Sequence, residues 1–223
     1  ESQREYQKAE EYYRELLLLE PDVPWSYINL GYLYSKMERN DDAIQILEQG
    51  KERIPDSFAI LSRLCKFYWT ARKMEKALET SKAVLKINPR YFDAMYIAGN
   101  VLSGMKRWAE SLENFEKAIE IEPENKALQF RYAFSLVSSG KREKGMEIYE
   151  RMKQENPNDF RIYQDLGILY DSLEEMDKAL ENIKRTVEIN PSPMTYFNYA
   201  LILNKAGGLK EAIYYLKLYL ETT

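Results

Sequence analysis

Large and small apolar residues recur along the chain at fixed places in a 34-residue period, with polar residues between them. Proline marks the period, at Pro21, Pro55, Pro89, Pro123, Pro157 and Pro191. Counted from the third residue after each proline, segments open at Pro24, Phe58, Phe92, Lys126 and Phe160, and the last opens one residue early, at Pro193. The fourth place holds Tyr27, Leu61, Met95, Gln129, Tyr163 and Tyr196, and the eleventh holds Tyr34, Tyr68, Leu102, Leu136, Tyr170 and Leu203. Between them, the seventh and eighth places form a large-small pair, as in Leu30-Gly31, Ala98-Gly99 and Leu166-Gly167. Apolar residues at places four, seven and eleven follow the helical period and predict a first helix of about 13 residues with one point of close approach. A second apolar pattern follows, with Ala43, Ala77, Ser111, Gly145, Ala179 and Ala212 at the twentieth place. A small side chain there lets a second helix lie close against the first.

The stop signals agree. Glu, Ile or Asn precedes each repeating proline, and a residue in that position is pushed out of helical geometry, so the second helix ends there. Ser57, Asn125, Asp159 and Ser192 sit where the next helix needs an N-cap. Pro24 and Pro193 take the first helical position, where the missing amide donor costs little. No alternating apolar run is bounded by hairpin dipeptides, so no sheet is predicted. Residues 1–21 keep the same phase: Ala9, Tyr13, Leu16 and Pro21 occupy the twentieth, twenty-fourth, twenty-seventh and closing places of a unit whose first helix is absent.

A fixed period of this size means stacked supersecondary units rather than one globular core. The pattern resembles the tetratricopeptide repeat, whose signature is an aromatic, a Leu-Gly pair, a Tyr, a small Ala, a later Phe and a closing Pro in 34 residues. The resemblance covers nearly the whole chain. It implies an all-α fold, a right-handed solenoid of stacked antiparallel helix pairs with about 13 helices. The expected division is a single array over residues 1–223, with a truncated repeat at 1–21 and repeats at 24–57, 58–91, 92–125, 126–159, 160–192 and 193–223. The family's first Trp is missing, Gln129 is polar at an apolar place, and Ser111 and Gly145 replace Ala. The fourth repeat, with Gln129 and Gly145, is expected to pack least tightly.

Composition narrows the function. The 223 residues are 45% hydrophobic, and 32 Lys and Arg against 36 Asp and Glu give a net charge of -4 without a long run of one sign. Nucleic acid is not expected as a partner on these numbers, because its binding rests on a concentrated basic footprint. Unbroken apolar runs, such as Leu16 to Leu19 or Tyr199 to Leu203, are far short of the roughly 20 residues that span a bilayer, so no membrane insertion is expected. Histidine is absent, which removes the commonest general base and metal ligand. Cys65, the single thiol, falls at the small eighth place of a helix and reads as packing. The glycines form neither a phosphate loop nor a dinucleotide turn, and Gly207-Gly208 reads as a helix stop. Asp41-Asp42 and Glu174-Glu175 sit where carboxylates favour a helix dipole. No catalytic residue, metal site or cofactor is expected, and the compartment stays open.

In tetratricopeptide arrays the first helices line a concave groove, and the resemblance implies that places two, five, six, nine, twelve and thirteen face it. These collect Trp25, Ile28, Asn29, Tyr32 and Lys36, then Arg63, Lys66 and Trp69, then Asp93, Tyr96 and Asn100. They continue with Phe130, Arg131 and Phe134, then Arg161, Asp165 and Asp171, then Phe197 and Lys205. Six cations against three anions make the groove basic on an acidic chain. The candidate peptide-binding residues are Asn29, Tyr32, Arg63, Lys66, Trp69, Tyr96, Asn100, Phe130, Arg131, Phe134, Arg161 and Phe197. Aromatic and Arg side chains often anchor interfaces, and acidic and apolar groups of an extended peptide would complement this lining. The same aromatics can instead pack between neighbouring helices. The chaperone-binding subfamily's carboxylate clamp is not matched: Asn29 and Arg63 fill two of its places, but Ala59 replaces its Lys. Nor is the asparagine ladder of the sugar-transferase arrays, since place six reads Asn29, Arg63, Ile97, Arg131, Asp165 and Asn198.

The leading expectation is a protein-interaction scaffold that holds an extended segment of a partner of unknown identity. The alternatives are the recruitment arm of a larger enzyme or secretion machine, and a homo-oligomer built through terminal helices. The last helix carries Ile213, Leu216, Tyr219 and Leu220 with no polar helix after it, and such a stripe is uncommon on a soluble monomer. The chain is therefore expected either to be a segment of a longer protein or to pack its ends on another copy.

Overall fold

The computed structural model describes residues 2–222. Among them the chain forms thirteen α-helices and no strand. The first helices of the repeats are α2 (Pro24–Lys36), α4 (Phe58–Thr70), α6 (Phe92–Gly104), α8 (Lys126–Ser138), α10 (Phe160–Ser172) and α12 (Pro193–Lys205). Each opens where the proline count predicts and runs 13 residues. The second helices are α3 (Asn40–Arg53), α5 (Met74–Ile87), α7 (Trp108–Ile119), α9 (Arg142–Glu155), α11 (Met176–Ile189) and α13 (Leu209–Thr222). Helix α1 (Ser2–Leu19) has the phase of a second helix.

Local chemistry sets the boundaries. Ser57 Oγ accepts from the Ile60 amide at 3.4 Å, Asn125 Oδ1 from Leu128 at 3.1 Å and Asp159 Oδ1 from Arg161 at 3.1 Å. At α12 the Ser192 amide donates to Thr195 Oγ1 at 3.0 Å, while Pro24 and Pro193 open their helices. Two tyrosines at place four tie their helix to the preceding proline: Tyr27 donates to the Pro21 carbonyl at 2.8 Å and Tyr163 to Pro157 at 2.9 Å. Between first and second helix the chain turns through one left-handed residue, which recurs with the period: Glu38, Arg72, Lys106, Gly140, Glu174 and Gly207, with φ between 58° and 89°. The amide after it closes a long backbone bond, as from Arg39 to Tyr34 O at 2.9 Å, satisfying a carbonyl at the helix end.

The sequence reads as one array, whereas the helices gather into two compact units, one running to Leu128 and the other from Gln129. In unit 1 the inward places form one core around Leu30, Leu47, Ile60, Leu64, Val84, Ala98 and Leu102. Each such Leu or Ile contributes about 1.5–3 kcal/mol by leaving water. A Cβ on Gly99 would stand 2.5 Å from the Phe115 ring, so the small eighth place is a true close approach. Helix α1 is held by Glu10, which receives Tyr34 Oη at 2.9 Å, Arg14 at 3.1 Å and Arg39 at 3.0 Å. Burial pushes the Glu10 carboxyl up, and those hydrogen bonds and the Arg39 charge outweigh it, leaving the group below its ordinary range.

Unit 2 has two apolar clusters, one around Phe130, Ala133, Val137, Tyr149, Met152, Ile162, Leu166 and Leu169, the other around Ile183, Val187, Tyr199, Leu203 and Ala212. The fourth repeat closes on itself at its small residue. A Cβ on Gly145 would lie 2.7 Å from the Ala133 carbonyl, so α9 closes on α8 instead of leaving a gap, and Tyr149 is fully buried.

Candidate functional site

The first helices of unit 1 leave a cavity of about 270 Å³ lined by Trp25, Ile28, Asn29, Tyr32, Leu47, Arg63, Lys66 and Phe67. Helix α2 supplies one wall through places two, five, six and nine, and α4 supplies the other through six, nine and ten. The floor is apolar, because Ile28 and Leu47 belong to the core. The rim is aromatic and basic. Trp25 and Tyr32 are 58% and 60% exposed, unusual for rings of this size in a folded monomer, and Lys36 Nζ lies 5.2 Å from the Tyr32 ring centroid. Arg63 is exposed and Asn29 half-buried, and neither side chain has a hydrogen-bond or ion-pair partner among the described residues. Lys66 is engaged: Asp93, at place two of the next repeat, holds its Nζ at 2.6 Å.

Other predicted residues of unit 1 are occupied by the fold. Trp69 is half-buried against the core. Tyr96 stacks on Phe92 with ring centroids 5.9 Å apart and tilts on Phe115 at 6.5 Å. Asn100 Nδ2 donates to the Tyr96 carbonyl at 2.7 Å. Leu47 and Phe67 also line the cavity and are absent from the expected groove residues, since an apolar residue beside a gap shows no distinct signal in the sequence.

In unit 2 the corresponding residues form a wall. Phe130 is buried, with its ring 6.2 Å from Tyr149 and the Arg161 guanidinium 6.0 Å above it. Phe134 packs on the same cluster, and Phe197 tilts on Tyr219 at 5.2 Å. Arg161 is tied back to Asp159 by two bonds of 2.8 and 2.6 Å, and Lys205 to Asp171 at 2.5 Å. Arg131 is exposed and faces the half-buried Asp165 electrostatically. Burial pushes the Asp165 carboxyl up, and the charges of Arg131 and Arg161 pull it partly back. The basic groove read from the sequence is thus largely self-neutralised, because Lys66, Arg161 and Lys205 each have an acid.

A larger cleft, of about 610 Å³, lies in unit 2 between α9, α10 and α11 and is lined by Tyr163, Tyr170, Glu150, Lys153, Lys178 and Arg185, among others. Its charges also pair internally, Lys178 with Glu175 at 2.8 Å and Arg185 with Glu188 at 3.0 Å. The sequence reading missed it, because Tyr163, Leu166 and Tyr170 read as the apolar places of a first helix and the rest of its walls as solvated places of second helices. Cys65 is buried with Sγ 3.1 Å from Ser81 Oγ, and burial pushes its thiol up to about 11, so it is no nucleophile at neutral pH. Among the described residues no cluster of acid, Cys or His side chains could hold a metal, and no helix is long and apolar enough to cross a membrane.

Comparisons with known proteins agree with this architecture. The tetratricopeptide repeat family model matches residues 1–222. Among curated proteins the chain is 21% identical to human protein O-mannosyl-transferase TMTC3 over 94% of its length, covering 21% of that protein. It is 31% identical to cell division cycle protein 27 homolog A of Arabidopsis thaliana over 48% of its length, covering 15% of that protein. The chain therefore spans a minor part of these relatives. Among solved structures, a tetratricopeptide repeat protein from Parabacteroides merdae superposes with a TM-score of 0.81 at 19% identity, over 99% of this chain and 88% of that one. YrrB, a repeat protein described as having an unusual peptide-binding site, superposes at 0.68 and 18% identity, over 84% of this chain and 96% of its own.

Proposed function

We propose a function from one premise: the chain belongs to the tetratricopeptide repeat family, and its fold is that of a protein-interaction scaffold. The cavity between α2 and α4 receives an extended segment of a partner protein, with an apolar side chain in the socket and a carboxylate beside it on Arg63. One observation carries this reading: an open apolar floor lies next to a cation, Arg63, that forms no ion pair with any acid among the described residues. The exposed Trp25 and Tyr32 would gain cover from such a ligand, and Asn29 offers its amide to the peptide backbone. A segment of this kind binds in the micromolar range, about -8 kcal/mol, so two anchors decide it.

Selection of a displayed library of random dodecapeptides on the full chain tests the reading. Enriched sequences should place Leu, Ile or an aromatic near Asp or Glu. Their affinity should fall about tenfold or more on the Arg63→Glu variant, with a weaker salt dependence, since a charge-assisted contact has become a repulsive one. Equal affinity for the variant, or enrichment without acidic residues, would overturn the assignment.

A further inference from the structure

Two clefts beside the second helices are built from the same residue types at the same places, three periods apart. In unit 1 a cleft of about 370 Å³ is lined by Glu48 and Lys51 of α3, Tyr68 of α4, and Lys76 and Glu79 of α5. In unit 2 the cleft of about 610 Å³ has Glu150 and Lys153 of α9, Tyr170 of α10, and Lys178 and Glu181 of α11 at those places. In both, the lysine of the later helix lies over the tyrosine, with Nζ 5.3 Å from the ring centroid.

The clefts differ in where the first acid goes. In unit 1 Glu48 Oε1 receives Tyr68 Oη at 2.6 Å and Lys76 Nζ at 2.7 Å. Burial pushes the Glu48 carboxyl up, and the bonds from Lys76 and Tyr68 outweigh it, so this seat holds an ionised carboxylate. In unit 2 Glu150 pairs instead with Lys153 of its own helix, at 3.7 Å. The hydroxyl of the half-buried Tyr170 has no hydrogen-bond partner among the described residues, and Lys178 has only Glu175, which Arg142 shares. Among the described residues no acid bridges Tyr170 and Lys178 as Glu48 bridges Tyr68 and Lys76.

The rest of the lining suits an anion with an apolar body. Lys153, Lys178, Lys184 and Arg185 against Glu150, Glu181 and Glu188 leave one positive charge in excess. Lys184 is exposed and has no ion-pair partner among the described residues. Leu166 and Tyr163 are buried and form the floor. The volume is that of a site for a small organic molecule.

We propose that the cleft of unit 2 binds a small dicarboxylic acid with an apolar body. One carboxylate takes the seat on Tyr170 Oη and Lys178 Nζ that Glu48 takes on Tyr68 and Lys76, and the other pairs with Lys184. The site uses none of the residues of the unit 1 cavity and stands apart from the function proposed for it.

The test titrates the isotope-labelled full chain with isophthalate and follows amide shifts by NMR, with benzoate as the monocarboxylate and isophthalamide as the neutral analogue. Isophthalate should saturate below about 1 mM, with shifts centred on α9, α10 and α11, and isophthalamide should not bind. Tyr170→Phe keeps the ring and loses only the hydroxyl, and it should weaken isophthalate about three- to tenfold. Lys178→Met should weaken it about tenfold or more, and Lys184→Met should bring isophthalate to the affinity of benzoate. Glu150→Gln should hold or strengthen binding by removing a like charge, and Tyr68→Phe and Arg63→Glu should leave it unchanged. No saturable shift at about 10 mM isophthalate, equal binding to Tyr170→Phe and Lys178→Met, or equal binding of isophthalamide would overturn the proposal. Binding seen only in Glu150→Gln would overturn it by giving the seat to the protein's own acid. A short Glu-containing peptide that binds in the cleft more tightly than isophthalate would also overturn it, by giving the cleft to a protein partner.

Discussion

In unit 1, places five and twenty-four of the first complete repeat hold Ile28 and Leu47 and leave a cavity of about 270 Å³ beside them. Three periods on, in unit 2, the same places hold Phe130 and Tyr149, whose buried rings lie 6.2 Å apart. The neighbouring places change with them: Arg63 answers to Asp165, Lys66 to Ile168 and Asn29 to Arg131. One backbone arrangement thus yields an open socket with a free cation in one unit and a ring-filled wall with a half-buried acid in the other. Whether a repeat leaves a socket open is decided by side-chain volume at two core-adjacent places, because the helices that carry them keep the same length and phase.

The sharpest way to break the comparison is to give unit 1 the ring of unit 2. Ile28→Phe should place an aromatic where the socket opens and cut the affinity for a peptide selected on the wild type about 100-fold, or roughly 2.7 kcal/mol. Stability should change by less than about 1.5 kcal/mol, since the cavity gives the ring room. The reciprocal change, Phe130→Ile, should cost about 1–3 kcal/mol in denaturant unfolding, by opening a gap beside Tyr149, and leave that affinity untouched. Ile28→Phe with full affinity would mean that the peptide does not use the socket.

Much of the fold was legible because the signals are local. Proline, the N-caps Ser57, Asn125 and Asp159, and the 3.6-residue spacing of apolar places act within a single repeat. The site was legible only in part. Place six pointed to Arg63 and place nine to Lys66 alike, yet Lys66 is spent on Asp93, which lies 27 residues later. Arg161 is claimed by Asp159 from its own helix cap. Which cations stay free depends on pairs formed between repeats and on side-chain reach, and neither leaves a periodic trace. The division within α8 has no marker in the sequence either, since the period runs through it unbroken.

The acid in the wall of unit 2 gives a smaller contrast with the basic rim of unit 1. Burial raises the Asp165 carboxyl above its unfolded value. The folded chain therefore keeps a proton there that the unfolded chain has released, and stability from this group falls as pH rises through that window. Above the folded value the ionised acid is a constant cost. Asp165→Asn should raise Tm at neutral pH by roughly 2–4 °C, and the gain should vanish on acidification below the ordinary aspartate range. Glu10 and Glu48 of unit 1 titrate below their ordinary values and work in the opposite sense, losing stability in acid. Only the difference between wild type and variant isolates Asp165. A variant that is destabilised at neutral pH would show that the attraction of Arg131 and Arg161 outweighs burial.

The smallest contrast lies in the turns between first and second helices. Unit 1 places Glu38, Arg72 and Lys106 in the left-handed region, whereas unit 2 has Gly140 and Gly207 beside Glu174. Glycine enters that region freely, and a side chain there costs about 1–2 kcal/mol. Arg72→Gly should relieve that strain but loosen the unfolded chain by about 0.4–1 kcal/mol, so a net gain of roughly 0.5 kcal/mol is expected. Gly140→Ala carries both terms in reverse and should lose about as much; at Gly140 an added Cβ would meet no neighbour, so the effect is conformational rather than steric. Urea unfolding of both variants measures this. Opposite shifts of similar size would show that the turns of the two units obey one balance, and a loss at Arg72→Gly would mean that its side chain stabilises the turn by a contact of its own.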